Sequence, residues 1–155
     1  MKKIGFVGVG IMGKSMVRNL MKAGFEVSIY TRTKSKVEDV IGEGAIWCDS
    51  VAECAKGRDA VISIVGYPKD VIEVYFGPAG ILANADPGTY VIDMTTTSPK
   101  LAVQIFDEAE KLGLHAIDAP VTGGDSGAKA GTLTILAGGK KEDFDTCMPV
   151  FEAMG

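Results

Sequence analysis

The sequence predicts an α/β protein, a doubly wound, mostly parallel sheet with helices on both faces. Three observations carry that prediction. Short apolar runs such as "DAVISIV" (59–65) alternate with helix-period segments along all 155 residues, the alternation that βαβ units produce. The runs are apolar at consecutive positions, as strands buried on both faces are. No repeat, low-complexity tract or linker interrupts the chain, so a single domain over residues 1–155 is expected, long enough to bury a real core.

The elements follow in order. "KIGFVGV" (3–9) reads as a strand, and 12–23 as a helix with Met16, Val17, Leu20 and Met21 on one face. Gly24 suits the end of that helix and leads into the strand "GFEVSIYT". A short helix is expected over 34–41, then a turn and short strand in "GEGAIWC", then a helix capped by Ser50 and running through Lys56. After the strand at 59–65, Pro68 opens a helix to about Phe76. "GTYVIDM" (88–94) is a strand, Ser98-Pro99 starts a long helix that Gly113 ends, and "LHAIDAP" (114–120) is again a strand. A glycine-rich turn, a helical stretch at 126–130, the strand "GTLTILAGG" and a last helix over 141–154, kinked or restarted at Pro149, complete the chain.

Composition narrows the function. Lys and Arg number 16 against 20 Asp and Glu, for a net charge of −4. That balance argues against nucleic acid or an anionic membrane as the main partner, while leaving room for a local basic patch that holds one phosphate. No apolar run reaches the roughly 18 residues that span a bilayer. "MKKIGFVGVGIMG" has the lysines and apolar start of a leader, but its glycines and lack of a cleavage site favour a strand. Cys48, Cys54 and Cys147 have neither CxxC nor metal-ligand spacing, so packed free thiols in a reducing cytoplasm, and no metal, are expected.

Gly8-Val9-Gly10-Ile11-Met12-Gly13 matches G-x-G-x-x-G between the first strand and the first helix, the context in which that spacing has a mechanism. Gly8 allows a tight turn, Gly10 lets backbone approach a pyrophosphate, and Gly13 lets helix pack on strand. The helix start then offers unpaired N–H groups to phosphate. This makes the fold Rossmann-type. At the end of the second strand, where an NAD site usually carries an acid for the ribose hydroxyls, stand Thr31, Arg32 and Thr33, followed by Lys34 and Lys36. Arg32 can pair with the 2′-phosphate of NADP, the threonine hydroxyls can hydrogen-bond it, and Lys36 adds charge. NADP is therefore expected over NAD. Opposite unit charges 4 Å apart attract by about 4 kcal/mol at an effective dielectric near 20 but about 1 kcal/mol in water, so Arg32 matters in proportion to its burial.

With "GFVGVGIMGKSMVRNLMKAGFEVSIYTRTKSKV" and "DAPVTGGDSGAKAGTLTILAGG" (118–139), the chain resembles the β-hydroxyacid dehydrogenases. These include 3-hydroxyisobutyrate dehydrogenases, tartronate semialdehyde reductases and, more distantly, 6-phosphogluconate dehydrogenases. The resemblance implies cofactor contacts at Val65, Gly66 and Pro68, although "VGYP" departs from the family's Met-Leu-Pro, and at Thr96 within "VIDMTTTSP". It implies a substrate-carboxylate site at Thr122, Gly123 and Gly124, with Thr122 in place of the family's Ser. In that family the catalytic Lys, a general acid/base, lies on a helix after the nucleotide domain, and an all-helical second domain completes the site and the dimer. Nothing here matches that Lys, and Lys129 is not at its position. No catalytic residue is therefore assigned within residues 1–155, and the general acid/base Lys is expected beyond Gly155, together with the helical domain.

The chain is accordingly expected to be the cofactor domain of a longer, homo-oligomeric enzyme acting on a small carboxylate substrate, and to be inactive alone. If it is a cut piece, Phe144, Val150, Phe151 and Met154 are expected to form an exposed apolar patch. A non-catalytic nicotinamide-dinucleotide module and a 6-phosphogluconate-type enzyme remain as alternatives. His115, the single histidine, has no ligand-spaced neighbour and reads as structural. Asp93 and Asp118, at strand ends, read as ordering their own turns.

Overall fold

The computed structural model describes residues 1–155 except Thr96, Thr97, Gly123, Thr132 and Leu136, and except the side chains of Pro68, Thr122 and Asp125. Its strands are β1 (Lys3–Val7), β2 (Glu26–Tyr30), β3 (Ile46–Trp47), β4 (Ala60–Ser63), β5 (Tyr90–Asp93), β6 (His115–Asp118), β7 (Val121–Thr122) and β8 (Thr134–Ile135). Its helices are α1 (Ile11–Lys22), α2 (Glu38–Gly42), α3 (Val51–Ala55), α4 (Pro68–Tyr75), α5 (Ile81–Asn84), α6 (Pro99–Lys111), α7 (Gly124–Ala130) and α8 (Lys141–Met154).

Six strands form one sheet in the order β3-β2-β1-β4-β5-β6, with every pairing parallel. The chain winds outward from β1 to β3, then crosses back to β4 and winds the other way. Between β1 and β4 the direction reverses, and there a crevice opens at the carboxyl ends of the strands. The expected doubly wound sheet is thus present.

Successive side chains of a strand point to opposite faces, and two cores result. Ile4, Phe6, Val27, Ile29, Ile62, Ile92 and Ile117 face α1, α2, α7 and α8, meeting Met16, Leu20, Val40, Ala128 and Val150. Val7, Val61, Val91 and Ala116 face α3, α4, α5 and α6, meeting Cys54, Tyr75, Leu82, Leu101 and Ile105. Each fully buried Leu or Ile contributes about 1.5–3 kcal/mol by leaving water. Helix ends follow local chemistry. Ser50 Oγ accepts from Glu53 N–H at 3.1 Å, Ser98 Oγ accepts from Leu101 N–H at 3.2 Å, and Gly113 ends α6 with φ +75°. Gly155 follows α8, its N–H donating to the Phe151 carbonyl at 2.9 Å.

Several expectations are corrected. The helix expected over 34–41 is a 3-10 turn at Lys34–Lys36 followed by α2. Val37 between them is fully buried at φ −123°, ψ 14°, and anchoring it in the core interrupts the helix. Within the strand expected in "GTLTILAGG", of which Thr132 and Leu136 lie outside the described residues, Thr134–Ile135 form β8, which pairs antiparallel with β7 outside the main sheet. The one-turn α5 has no counterpart in the sequence reading. The exposed patch on α8 does not form: Val150, Phe151 and Met154 are 0%, 5% and 0% exposed, because α8 lays them into the core that α1 and α7 share, with Phe144 packed at its edge.

Cys48, Cys54 and Cys147 are free and buried. Among the described residues, no helix is long and apolar enough to cross a membrane, and no group of three ligating side chains could hold a metal ion.

Candidate cofactor site

The turn after β1 is built by glycines with different duties. Gly8 has φ +95°, and its N–H donates to the Tyr30 carbonyl at 2.9 Å; a Cβ there would run into the carbonyl of Ile64, the residue just past β4. A Cβ at Gly13 would lie 2.7 Å from the Gly8 carbonyl oxygen and 3.3 Å from the Phe6 ring, so α1 can pack on its own turn only without one. Gly10 is the exception. A Cβ there meets nothing within 4 Å, so the protein's own packing does not require glycine. What its absence of side chain preserves is open space.

That space is a cleft of about 480 Å³, within the size range of small-molecule sites. The glycine turn contributes Gly8, Gly10, Ile11, Met12 and Gly13; the end of β2 contributes Tyr30, Thr31 and Arg32; the opposite wall is Ile64, Val65, Gly66, Asp70 and Val74. α1 starts at its floor. Gly10, the N-cap, offers no side-chain cap, and the first turn holds no acid. The first N–H groups of α1 and the positive end of its dipole therefore stay uncompensated, as an anion site requires. A glycine with room above it beside a bare helix start fits the pyrophosphate of a dinucleotide.

The cations of 32–36 do not act as one patch. Arg32 reaches across the cleft, its Nη2 donating to Asp70 Oδ1 at 3.0 Å and Glu73 Oε2 at 3.5 Å. Lys34 sits over the Trp47 ring, 5.6 Å from its centroid. Thr33 and Lys36 are exposed and outside the cleft wall. Val9 is 3% exposed and its side chain belongs to the core, which leaves only its backbone for the turn's contact with an anion. Asp70, Tyr30, Ile64 and Val74 line the cleft without having been singled out in the sequence. The signal for Asp70 was its place three residues after Tyr67, whose N–H its Oδ2 accepts at 3.1 Å.

On the substrate side, Gly124 opens α7 at φ +61°. Thr96, Gly123 and the side chains of Thr122 and Pro68 lie outside the described residues. Asp93 Oδ1 accepts from Thr95 N–H and Ser63 Oγ–H, each at 3.1 Å, so it does order its own turn. The Ser63 hydroxyl is also bonded to the Tyr75 hydroxyl. Burial pushes the Asp93 carboxyl up to about 6, and pushes the Asp118 carboxyl up as well. His115 Nδ1 lies 3.0 Å from Asp143 Oδ1, and its ring stacks on Tyr90 at 4.5 Å between centroids, a structural setting.

Comparison with known proteins agrees with this geometry. The family model described as the NAD binding domain of 6-phosphogluconate dehydrogenase matches residues 3–155. The uncharacterized oxidoreductase YkwC of Bacillus subtilis is 53% identical over 154 residues, covering 99% of this chain and 54% of that protein. An NAD-dependent L-serine dehydrogenase of Pseudomonas aeruginosa is 40% identical over 155 residues, covering 100% of this chain and 52% of its own length. A Mycobacterium tuberculosis 3-hydroxyisobutyrate dehydrogenase, solved with L-serine, superposes with a TM-score of 0.93 at 32% identity, over 100% of this chain and 52% of that one. The chain thus spans about half the length of the curated relatives it matches. With its strand order, its glycine turn and a match over nearly every residue, the chain belongs to the family of 6-phosphogluconate dehydrogenase NAD-binding domains, and its relatives are 3-hydroxyisobutyrate dehydrogenase-like oxidoreductases.

Proposed function

We propose that residues 1–155 are the cofactor-binding domain of an NADP-dependent oxidoreductase that moves hydride between nicotinamide and a small β-hydroxyacid or its semialdehyde. The observation that carries this reading is the cleft itself, where open space above Gly10 and the uncapped start of α1 meet an arginine at the end of β2. The bound dinucleotide supplies the hydride chemistry. The chain's own residues bind and orient: N–H groups of the turn and α1 hold the pyrophosphate, Thr31 and Arg32 take the 2′-phosphate, and Val65 and Gly66 flank the nicotinamide half. Pro68 and Thr96 are assigned to that half too, and Thr122, Gly123 and Gly124 to the substrate carboxylate, by resemblance to the family. The general acid/base Lys is assigned to a segment beyond Gly155, again by resemblance, in a homo-oligomer. The half-length match to the relatives supports that assignment. The buried free thiols suit a reducing cytoplasm.

The name of the Pseudomonas relative includes NAD dependence, so the choice of dinucleotide is the point to test. NADPH and NADH are titrated into the chain and into Arg32→Ala. The expected result is NADPH binding at least tenfold tighter than NADH, with the margin lost without Arg32. Equal affinities in the wild-type chain would remove the NADP assignment and leave a domain for NAD.

A further inference from the structure

Arg32 is held from across the cleft, and the three side chains in that contact are unequally free. Asp70 is only 12% exposed, whereas Arg32 and Glu73 are 72% and 74% exposed. The Asp70 carboxylate is pinned to the first turn of α4 through its other oxygen, which accepts the Tyr67 N–H at 3.1 Å. One guanidinium nitrogen, Nη2, serves both acids. A phosphate that pairs with Arg32 either shares that nitrogen with the carboxylates or takes the remaining N–H donors of the same guanidinium. In both cases a doubly charged group comes to rest a few ångströms from an acid that cannot swing away. A ribose 2′-hydroxyl, being neutral, meets no such opposition.

We infer that Asp70, aided by Glu73, is a specificity-determining residue that weakens the 2′-phosphate preference Arg32 confers. The inference rests on Arg32 being the 2′-phosphate partner. The two acids lie on α4, a separate βα unit from the one that carries Arg32, so α4 tunes the cofactor choice made at the end of β2.

The test is the ratio of NADPH to NADH affinity in the wild-type chain, Glu73→Gln, Asp70→Asn and the double variant, each with and without Arg32→Ala. Asparagine keeps an oxygen for the Tyr67 N–H, and a thermal melt reports whether α4 survives; Glu73→Gln changes an exposed side chain with no role in the fold. The ratio is expected to rise a few-fold in Glu73→Gln and about tenfold in the double variant. The rise shrinks as salt is added. An unchanged or lower ratio in the double variant, while Arg32→Ala still abolishes the NADPH margin, overturns the inference and leaves the reading of Arg32 intact. If Arg32→Ala leaves the ratio unchanged, the reading of Arg32 fails and the inference falls with it.

Discussion

Asp93 and Asp118 are register partners at the carboxyl ends of β5 and β6. Each keeps one buried oxygen without a hydrogen-bond partner among the described residues. Parallel pairing brings like strand ends together, so the two carboxyls share one poorly solvated rim of the sheet. Burial is the main reason both resist ionising.

This gives a pH dependence with a definite sign. The Asp93 carboxyl rises from 3.8 to about 6 on folding, so between those values the folded chain holds more protons than the unfolded one. The stability Asp93 contributes is complete below its unfolded value and is lost as pH climbs through about 6. Relative to wild type, Asp93→Asn should gain stability between about pH 4 and about pH 7, by about 3 kcal/mol at most. Urea unfolding of both proteins at several pH values measures it; a difference that does not change with pH would mean that Asp93 ionises normally.

Gly10 and Gly13 should separate binding from folding. Gly13→Ala places a Cβ against the Gly8 carbonyl and should cost about 1–3 kcal/mol of stability. Gly10→Ala meets no protein atom, so stability should stay within about 1 kcal/mol of wild type while the methyl occupies space assigned to the pyrophosphate. Its dinucleotide affinity should fall at least tenfold. Fluorescence of Trp47, the single tryptophan, serves both for unfolding and for titration. Unimpaired binding by Gly10→Ala would count against the cleft as the pyrophosphate site.

The His115–Asp143 contact should tie α8 to the edge of the sheet. The Asp143 side chain is 4% exposed, and its Oδ2 has no partner among the described residues. Removing the imidazole by His115→Ala leaves Asp143 Oδ1 without its partner and should cost about 1–3 kcal/mol. In a double-mutant cycle with Asp143→Asn, a coupling above about 1 kcal/mol is expected. Additive effects would show that the contact contributes nothing of its own.

The parts legible in the sequence are those governed by neighbours along the chain. Val61, Ile62, Ile64 and Val65, four β-branched residues within 59–65, mark a strand buried on both faces, and Ser50 and Ser98 cap the helices that follow them. The glycine spacing is legible too, because turn, phosphate approach and helix packing all lie within six consecutive positions. Alternation of strand and helix is enough to set the fold class, since parallel strands need crossovers, and right-handed crossovers on either side of the reversal between β1 and β4 cover both faces. Other features were decided by contacts between distant residues. Arg32 and Asp70 are 38 positions apart, and only the order of β2, β1 and β4 in the sheet brings the end of one unit over the start of the other. The same holds for α8, whose apolar side is covered by residues of α1, far from it in sequence, and of α7. Local chemistry selects the elements through short-range sterics and hydrogen bonds; which charges face one another across the cleft depends on how those elements are stacked, and no run of adjacent residues encodes that.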